Sequence, residues 1–84
     1  MRYFGVDVHL EFCEIAFAEG GTVSQVGRIA STPEAVREFA AGLGSEDEVV
    51  LDASGSVMAI ARILRESNVG RVVVSDAAQT GPTP

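Results

Sequence analysis

The sequence predicts a small α/β domain built on a mixed five-strand sheet. Three apolar runs joined by short turns occupy residues 2–30, and this predicts an antiparallel meander. Two further apolar runs, 49–52 and 71–74, each follow an amphipathic helix pattern, an alternation typical of parallel strands joined by crossover helices. With 84 residues, 46% of them hydrophobic and 21% charged, the chain has the composition of one globular domain.

The meander begins with "RYFGVDV", residues 2–8, and continues with "EFCEIAFA", in which alternate residues point to opposite faces. The pair Gly20-Gly21 predicts a tight turn before the third strand, because glycine tolerates positive φ. The third strand, "VSQVGRIA", has a weaker pattern. Asp7 is unusual in the first strand, since strands disfavour aspartate and burial of an unpaired carboxylate is costly.

Two helices are predicted, in residues 31–44 and 55–68. Thr32 fits the N-cap of the first helix and Pro33 its first turn. Each helix has one apolar stripe at i, i+3, i+4 and i+7. The stripe residues are Val36, Phe39, Ala40 and Leu43 in the first helix and Val57, Ile60, Ala61 and Leu64 in the second. The acidic segment "SEDE", residues 45–48, is expected to be a solvated loop.

A meander followed by two βαβ units favours the strand order 3-2-1-4-5. Both crossovers then run in one direction, and right-handed connections place both helices on one face of the sheet. Nothing in these residues covers the other face, so we expect a domain that is incomplete at the C-terminus or covered by a partner. The domain is expected to span residues 1–76, with a flexible tail at 77–84.

Charge and composition narrow the class of protein. The net charge of −6 argues against a domain that binds nucleic acid by itself, because such domains are usually basic. We expect neither a membrane span nor a signal peptide, and therefore a cytoplasmic protein. Cys13 is the single cysteine, so no intramolecular disulfide can form, and it is expected to be a buried apolar residue.

Two aspartates near strand ends form the candidate site. Asp7 lies near the end of strand one and Asp52 near the end of strand four, and carboxyl ends of parallel strands meet at the edge where open α/β sheets bind ligands. Adjacent carboxylates repel unless a cation bridges them, and Mg²⁺ or Mn²⁺ takes such oxygen ligands and supports phosphodiester chemistry. Alternatively, Asp52 serves only as a turn former or helix cap. His9 is expected to be an exposed turn residue or to assist the site, and residues 54–56 can hold a phosphate at a helix N-terminus.

Four segments in order, "YFGVDVH", "STPE", "VVLDASGS" and "RVVVSD", resemble the N-terminal domain of the DEDD-type insertion-sequence transposases. This is the family named for insertion sequence one-hundred-and-ten, and the Piv-type DNA invertases are its relatives. The likeness extends from about Tyr3 to Thr80. It implies a ribonuclease-H-like, RuvC-like fold and an enzyme of DNA transposition or recombination that uses divalent metal for DNA cleavage and strand transfer.

The resemblance also implies roles for individual residues. The first acid of the family falls on Asp7 and the second, usually a glutamate, on Asp52, which would make both catalytic and metal-binding with Mg²⁺ or Mn²⁺. Aspartate is one methylene shorter than glutamate, which reduces its reach to a metal. The third and fourth acids belong to a segment that these residues do not include, so the chain by itself is expected to be inactive. Members of the family act on DNA as oligomers, some with a guide RNA, and not at membranes.

Two other interpretations remain open. Actin-like phosphate- or nucleotide-binding modules open with a similar Asp-bearing meander, but they usually have a glycine-rich turn where this chain has His9-Leu10-Glu11. A non-catalytic dimerisation domain, which uses the bare sheet face, is compatible with the transposase interpretation. Titration with ATP tests the former, and light scattering tests the latter.

Overall fold

The structure, a computed structural model, describes residues 2–52 and 57–75. Its elements are β1 (Arg2–Val8), β2 (Phe12–Glu19), β3 (Thr22–Ala30), α1 (Pro33–Ala41), β4 (Asp47–Asp52), α2 (Val57–Arg65) and β5 (Arg71–Ser75). The predicted tail at 77–84 and the phosphate-binding candidate at 54–56 lie outside the described residues. Neither described helix is long and apolar enough to cross a membrane.

The five strands form one sheet in the order β3-β2-β1-β4-β5. β2 is antiparallel to both of its neighbours, whereas β4 is parallel to β1 and to β5. Gly20 and Gly21 have φ values of 60° and 87° in the turn between β2 and β3, where a side chain would be strained. The predicted α/β class, the strand order and the tight glycine turn are therefore confirmed.

Both helices pack on the same face of the sheet, as predicted. The alternation of β1 buries Phe4, Val6 and Val8 beneath them, and the intervening residues point to the other face. The Phe4 ring joins the layers, with its centroid 5.2 Å from that of Phe17 on β2 and 5.7 Å from that of Phe39 on α1. Helix and strand residues form one core: Phe4, Val6, Val8, Cys13, Ile15, Val36, Ala40, Leu43, Val49, Leu51, Val57, Ile60, Ala61 and Leu64.

The start of α1 follows the sequence prediction. Thr32 is the N-cap, and its Oγ1 accepts a hydrogen bond from the Ala35 N–H at 3.2 Å. Pro33 occupies the first turn, where its missing N–H has no cost. Cys13 is fully buried, which confirms its predicted role as an apolar core residue.

The prediction of a solvated acidic loop at residues 45–48 is wrong for Asp47 and Glu48, because both belong to β4, and Asp47 is only 4% exposed. Asp47 is the register partner of Arg2, because β1 and β4 start side by side. Arg2 donates from Nε to Asp47 Oδ1 at 2.8 Å and from Nη2 to Oδ2 at 2.6 Å. The Gly44 N–H donates to Oδ2 at 2.8 Å. The carboxylate is buried because it has these charged and polar partners.

The same edge of the sheet is closed by backbone bonds from the turn after α2. The Gly70 N–H donates to the carbonyls of Gly44 at 3.1 Å and Asp47 at 3.0 Å. A Cβ at position 70 would overlap the backbone carbonyl of Ser45, so only glycine permits this approach. We call Arg2, Gly44, Asp47 and Gly70 the polar clamp. It joins the start of β1 to the segments that precede β4 and β5.

Candidate metal centre

A row of polar side chains crosses the uncovered face of the sheet at the carboxyl ends of β1 and β4. It consists of Arg28 on β3, Glu14 on β2, Asp7 on β1, Asp52 on β4 and Ser75 on β5, each the register partner of the next. These residues alternate with those buried under the helices, so they share the open face. We call them the open-face row.

Asp7 and Asp52 occupy partner positions on adjacent parallel strands, which is the placement that the sequence predicts. Strand spacing in a sheet is about 4.8 Å, and both side chains project from the same face. Both residues are exposed, and the Asp7 side chain keeps 51% of its accessible surface. The burial cost expected for an aspartate within a strand does not arise, because no described element covers this face.

His9 and Glu14 extend the pair into a larger group. His9 Nε2 lies 3.1 Å from Asp7 Oδ2 and 4.0 Å from Glu14 Oε1. One ligand atom from each of Asp7, His9 and Glu14 lies within 4.8 Å of the others. Asp52 is the register partner of Asp7, but it is not a member of this convergent group. The turn that bears His9 is fixed, because the His9 N–H donates to the Phe12 carbonyl at 2.8 Å. His9 is therefore an exposed turn residue, as expected, and its ring lies beside Asp7.

Phe12 organises the β3 side of this group. The His9 ring stacks on Phe12 with centroids 4.6 Å apart, and the Arg28 guanidinium carbon lies 4.4 Å from the centroid of the same ring. Arg28 Nε also lies 3.5 Å from Glu14 Oε2. Glu14 thus contacts two groups that Phe12 holds in place.

Four members of the open-face row, Asp7, Glu14, Asp52 and Ser75, border a concavity. A Cβ added at Gly5 would meet nothing within 4 Å, so this part of the sheet is open. The lining residues are Gly5, Val6, Asp7, Glu14, Ile15, Ala16, Gln25, Val50, Asp52 and Ser75. The concavity gives a ligand direct access to the carboxylates.

The donor set fits a hard divalent cation. Asp7, Glu14 and Asp52 offer carboxylate oxygens, the ligands that Mg²⁺ and Mn²⁺ prefer. The His9 imidazole is a less preferred ligand for Mn²⁺ than an oxygen atom is. Carboxylates on neighbouring strands repel one another, and a cation between Asp7 and Glu14 would reduce this repulsion.

Sequence reasoning identified Asp7 and Asp52 but missed Glu14 and Arg28 as their neighbours. Glu14 has a signal in the sequence. Four residues, 9–12, separate the paired positions Val8 and Cys13, and this register places residue 14 opposite Asp7. The position of Arg28 opposite Glu14 is harder to predict from the sequence, because an irregularity between Ile15 and Ala16 shifts the register of β2 with β3.

A scan of the chain against protein-family models found no match, and a comparison with curated proteins found none either. The functional conclusion therefore depends on the fold, the placement of the side chains and their chemistry.

Proposed function

We propose that the chain is the N-terminal part of a DNA transposase or recombinase with a ribonuclease-H-like catalytic domain that depends on a divalent metal. One observation carries this proposal: Asp7 and Asp52 are partners on adjacent parallel strands and share the open face of the sheet. Two strands thereby offer carboxylates to one cation at the edge where open α/β sheets bind ligands. The strand order, with both helices on one face, supports the same proposal.

The residues of the site have separate tasks. Asp7 and Asp52 hold Mg²⁺ or Mn²⁺, Glu14 supplies a further carboxylate, and His9 fixes the orientation of Asp7. Bound metal of this kind activates a water or hydroxyl and stabilises charge on a phosphodiester. Gly5 leaves room for a nucleic-acid backbone on the open face. With Asp7 and Asp52 as the two family acids among the described residues, we expect metal binding at this site to be weak.

Paramagnetic broadening by Mn²⁺ tests the metal centre. In ¹⁵N-labelled chain, amide signals next to Asp7 and Asp52 should disappear at the lowest Mn²⁺ concentrations. Asp7→Asn and Asp52→Asn should each weaken this effect, because each removes one anionic ligand. Glu46→Gln is the matched control, since Glu46 is an exposed acid at the opposite edge of the sheet. Broadening that persists in both aspartate variants would contradict the assignment.

The reaction class needs its own test. The DNA that follows codon 84 should encode two further acidic residues, in frame or after a frameshift, near the end of a helix or strand pattern. Absence of such residues would remove the transposase proposal even if Asp7 and Asp52 bind metal. Calorimetric titration with ATP separates the actin-like alternative, for which tight ATP binding is expected. The Gly20-Gly21 turn lies at the other edge of the sheet from Asp7, so it does not supply the phosphate loop of such a module.

A further inference from the structure

A single arginine belongs to the open-face row. Arg28 lies at its β3 end, and the other members are three carboxylates and a serine. The Arg28 side chain is 64% exposed although its Nε contacts Glu14. A guanidinium carries five N–H donors, so one ion pair leaves donors that face the solvent. Arg28 therefore presents positive charge beside an acidic site.

Arg28 is also held in a defined position. Its guanidinium stacks on Phe12, which packs in turn against His9, and its backbone is opposite Glu14 in the sheet. A planar guanidinium that is fixed in advance loses less conformational freedom when it binds an anion. This placement suits recognition of a phosphate, which accepts hydrogen bonds from the guanidinium fork.

Distances across the sheet decide which phosphate Arg28 can reach. β3 is two strand spacings from β1, roughly 10 Å, and three from β4, roughly 14 Å. A phosphate held between Asp7 and Asp52 is therefore too far from the Arg28 backbone to be its natural ligand. The next phosphate along the same nucleic-acid strand is within reach of the Arg28 side chain. Because Glu14, Asp7 and Asp52 repel phosphate, attraction at this edge comes from bound metal and from Arg28.

We propose that Arg28 binds a backbone phosphate of the nucleic-acid substrate, next to the phosphate that the metal centre holds. The inference rests on the proposed function, which supplies the substrate class. It adds a residue that positions the nucleic-acid strand. It also adds a path for that nucleic-acid strand, which crosses the sheet between β4 and β3.

Titration of the ¹⁵N-labelled chain with oligothymidylate in the presence of Mg²⁺, over a series of NaCl concentrations, tests this inference. Arg28→Gln keeps much of the side-chain stem on Phe12 and removes the charge. Loss of one phosphate contact on a single strand lowers the slope of log affinity against log salt by about 0.7, which corresponds to an affinity about fivefold weaker at ~0.1 M salt. Arg28→Lys keeps the charge and should restore the slope.

Arg71→Gln is the matched control. Arg71 is on the same open face and is 72% exposed, and its Nη1 lies 3.9 Å from Glu48 Oε1. It is on β5, the outer strand at the other side of the sheet from β3. Its loss should leave the affinity unchanged. Equal effects of Arg28→Gln and Arg71→Gln would overturn the inference, as would an unchanged slope in Arg28→Gln. If the unaltered chain binds with signal changes at Asp7 and Asp52 while Arg28→Gln has no effect, only the role of Arg28 fails. If no signal on the open face changes with oligonucleotide and Mg²⁺, the role of Arg28 fails, and the Mn²⁺ broadening at Asp7 and Asp52 decides separately whether the proposed metal centre fails with it.

Discussion

Replacement of Asp47 by asparagine is expected to destabilise the fold by about 2 kcal/mol at neutral pH. In the polar clamp, the carboxylate accepts hydrogen bonds from the Gly44 N–H and from two nitrogens of Arg2. Asparagine keeps one carbonyl oxygen as an acceptor and loses the second acceptor and the charge. Loss of a hydrogen bond to a charged group costs about 1.5–3 kcal/mol, and the lower part of this range applies because the Arg2 side chain is 41% exposed and water replaces much of the ion pair. The asparagine amide also turns its own N–H donor towards Arg2 or towards the Gly44 N–H, which are donors themselves.

The destabilisation should disappear in acid. The Arg2 hydrogen bonds, and secondarily the Gly44 N–H, hold the pKa of Asp47 below its ordinary value of 3.8, although burial acts in the opposite direction. A carboxyl group whose pKa is lower in the folded state stabilises the protein above the unfolded pKa, and this stabilisation is lost as the pH falls through the folded pKa. Protonated Asp47 then resembles asparagine in shape and charge, so the stabilities of the two proteins should converge.

Urea unfolding followed by circular dichroism, at about pH 7 and again below the pKa of Asp47, measures this convergence. Glu46→Gln is the control, because it removes the same charge from an exposed neighbour and should change the free energy of unfolding by less than about 0.5 kcal/mol. A difference between Asp47→Asn and the unaltered chain that is equally large at both pH values would refute the role of the ionised carboxylate. A comparable loss in Glu46→Gln would point instead to general charge effects.

Further predictions concern the core, a cap, a close approach and association. Leu51→Ala should lower the free energy of unfolding by about 3 kcal/mol in urea titration, because Leu51 is fully buried and a cavity would remain. Thr32→Ala should cost about 1 kcal/mol by the same measurement, since the cap bond to Ala35 is lost. Gly70→Ala should cost about 3 kcal/mol, because its Cβ overlaps backbone, and a neutral effect would show that the turn can shift. Light scattering should detect an oligomer, and a monodisperse monomer would contradict association through the open face.

The strand order could be predicted because each step depends on a local signal or a general rule. Alternation identified β1 and β2, the glycine pair fixed the turn, and the helix stripes with right-handed crossovers placed β4 and β5. Asp7 and Asp52 became neighbours as a direct result, since both lie near the carboxyl ends of adjacent parallel strands. The placement of the candidate site therefore needed no knowledge of side-chain packing.

The polar clamp could not be predicted in the same way. Asp47 belongs to an acidic segment, and charge runs usually stay in water, but its partner Arg2 is 45 residues away. Their pairing depends on the register of β1 with β4 to the residue. The contacts of Phe12 with His9 and Arg28 likewise depend on side-chain rotamers, which a sequence pattern does not specify.

The polar clamp and the open-face row lie at opposite ends of the strands, and this has a consequence for how the protein tolerates mutation. The polar clamp makes hydrogen bonds between separate segments of the fold, whereas Asp7, Arg28 and Asp52 of the open-face row are exposed. Exposed positions usually accept substitution with changes of about 0.5 kcal/mol or less. Chemistry at one end can therefore diversify among related sequences while the other end keeps the domain folded.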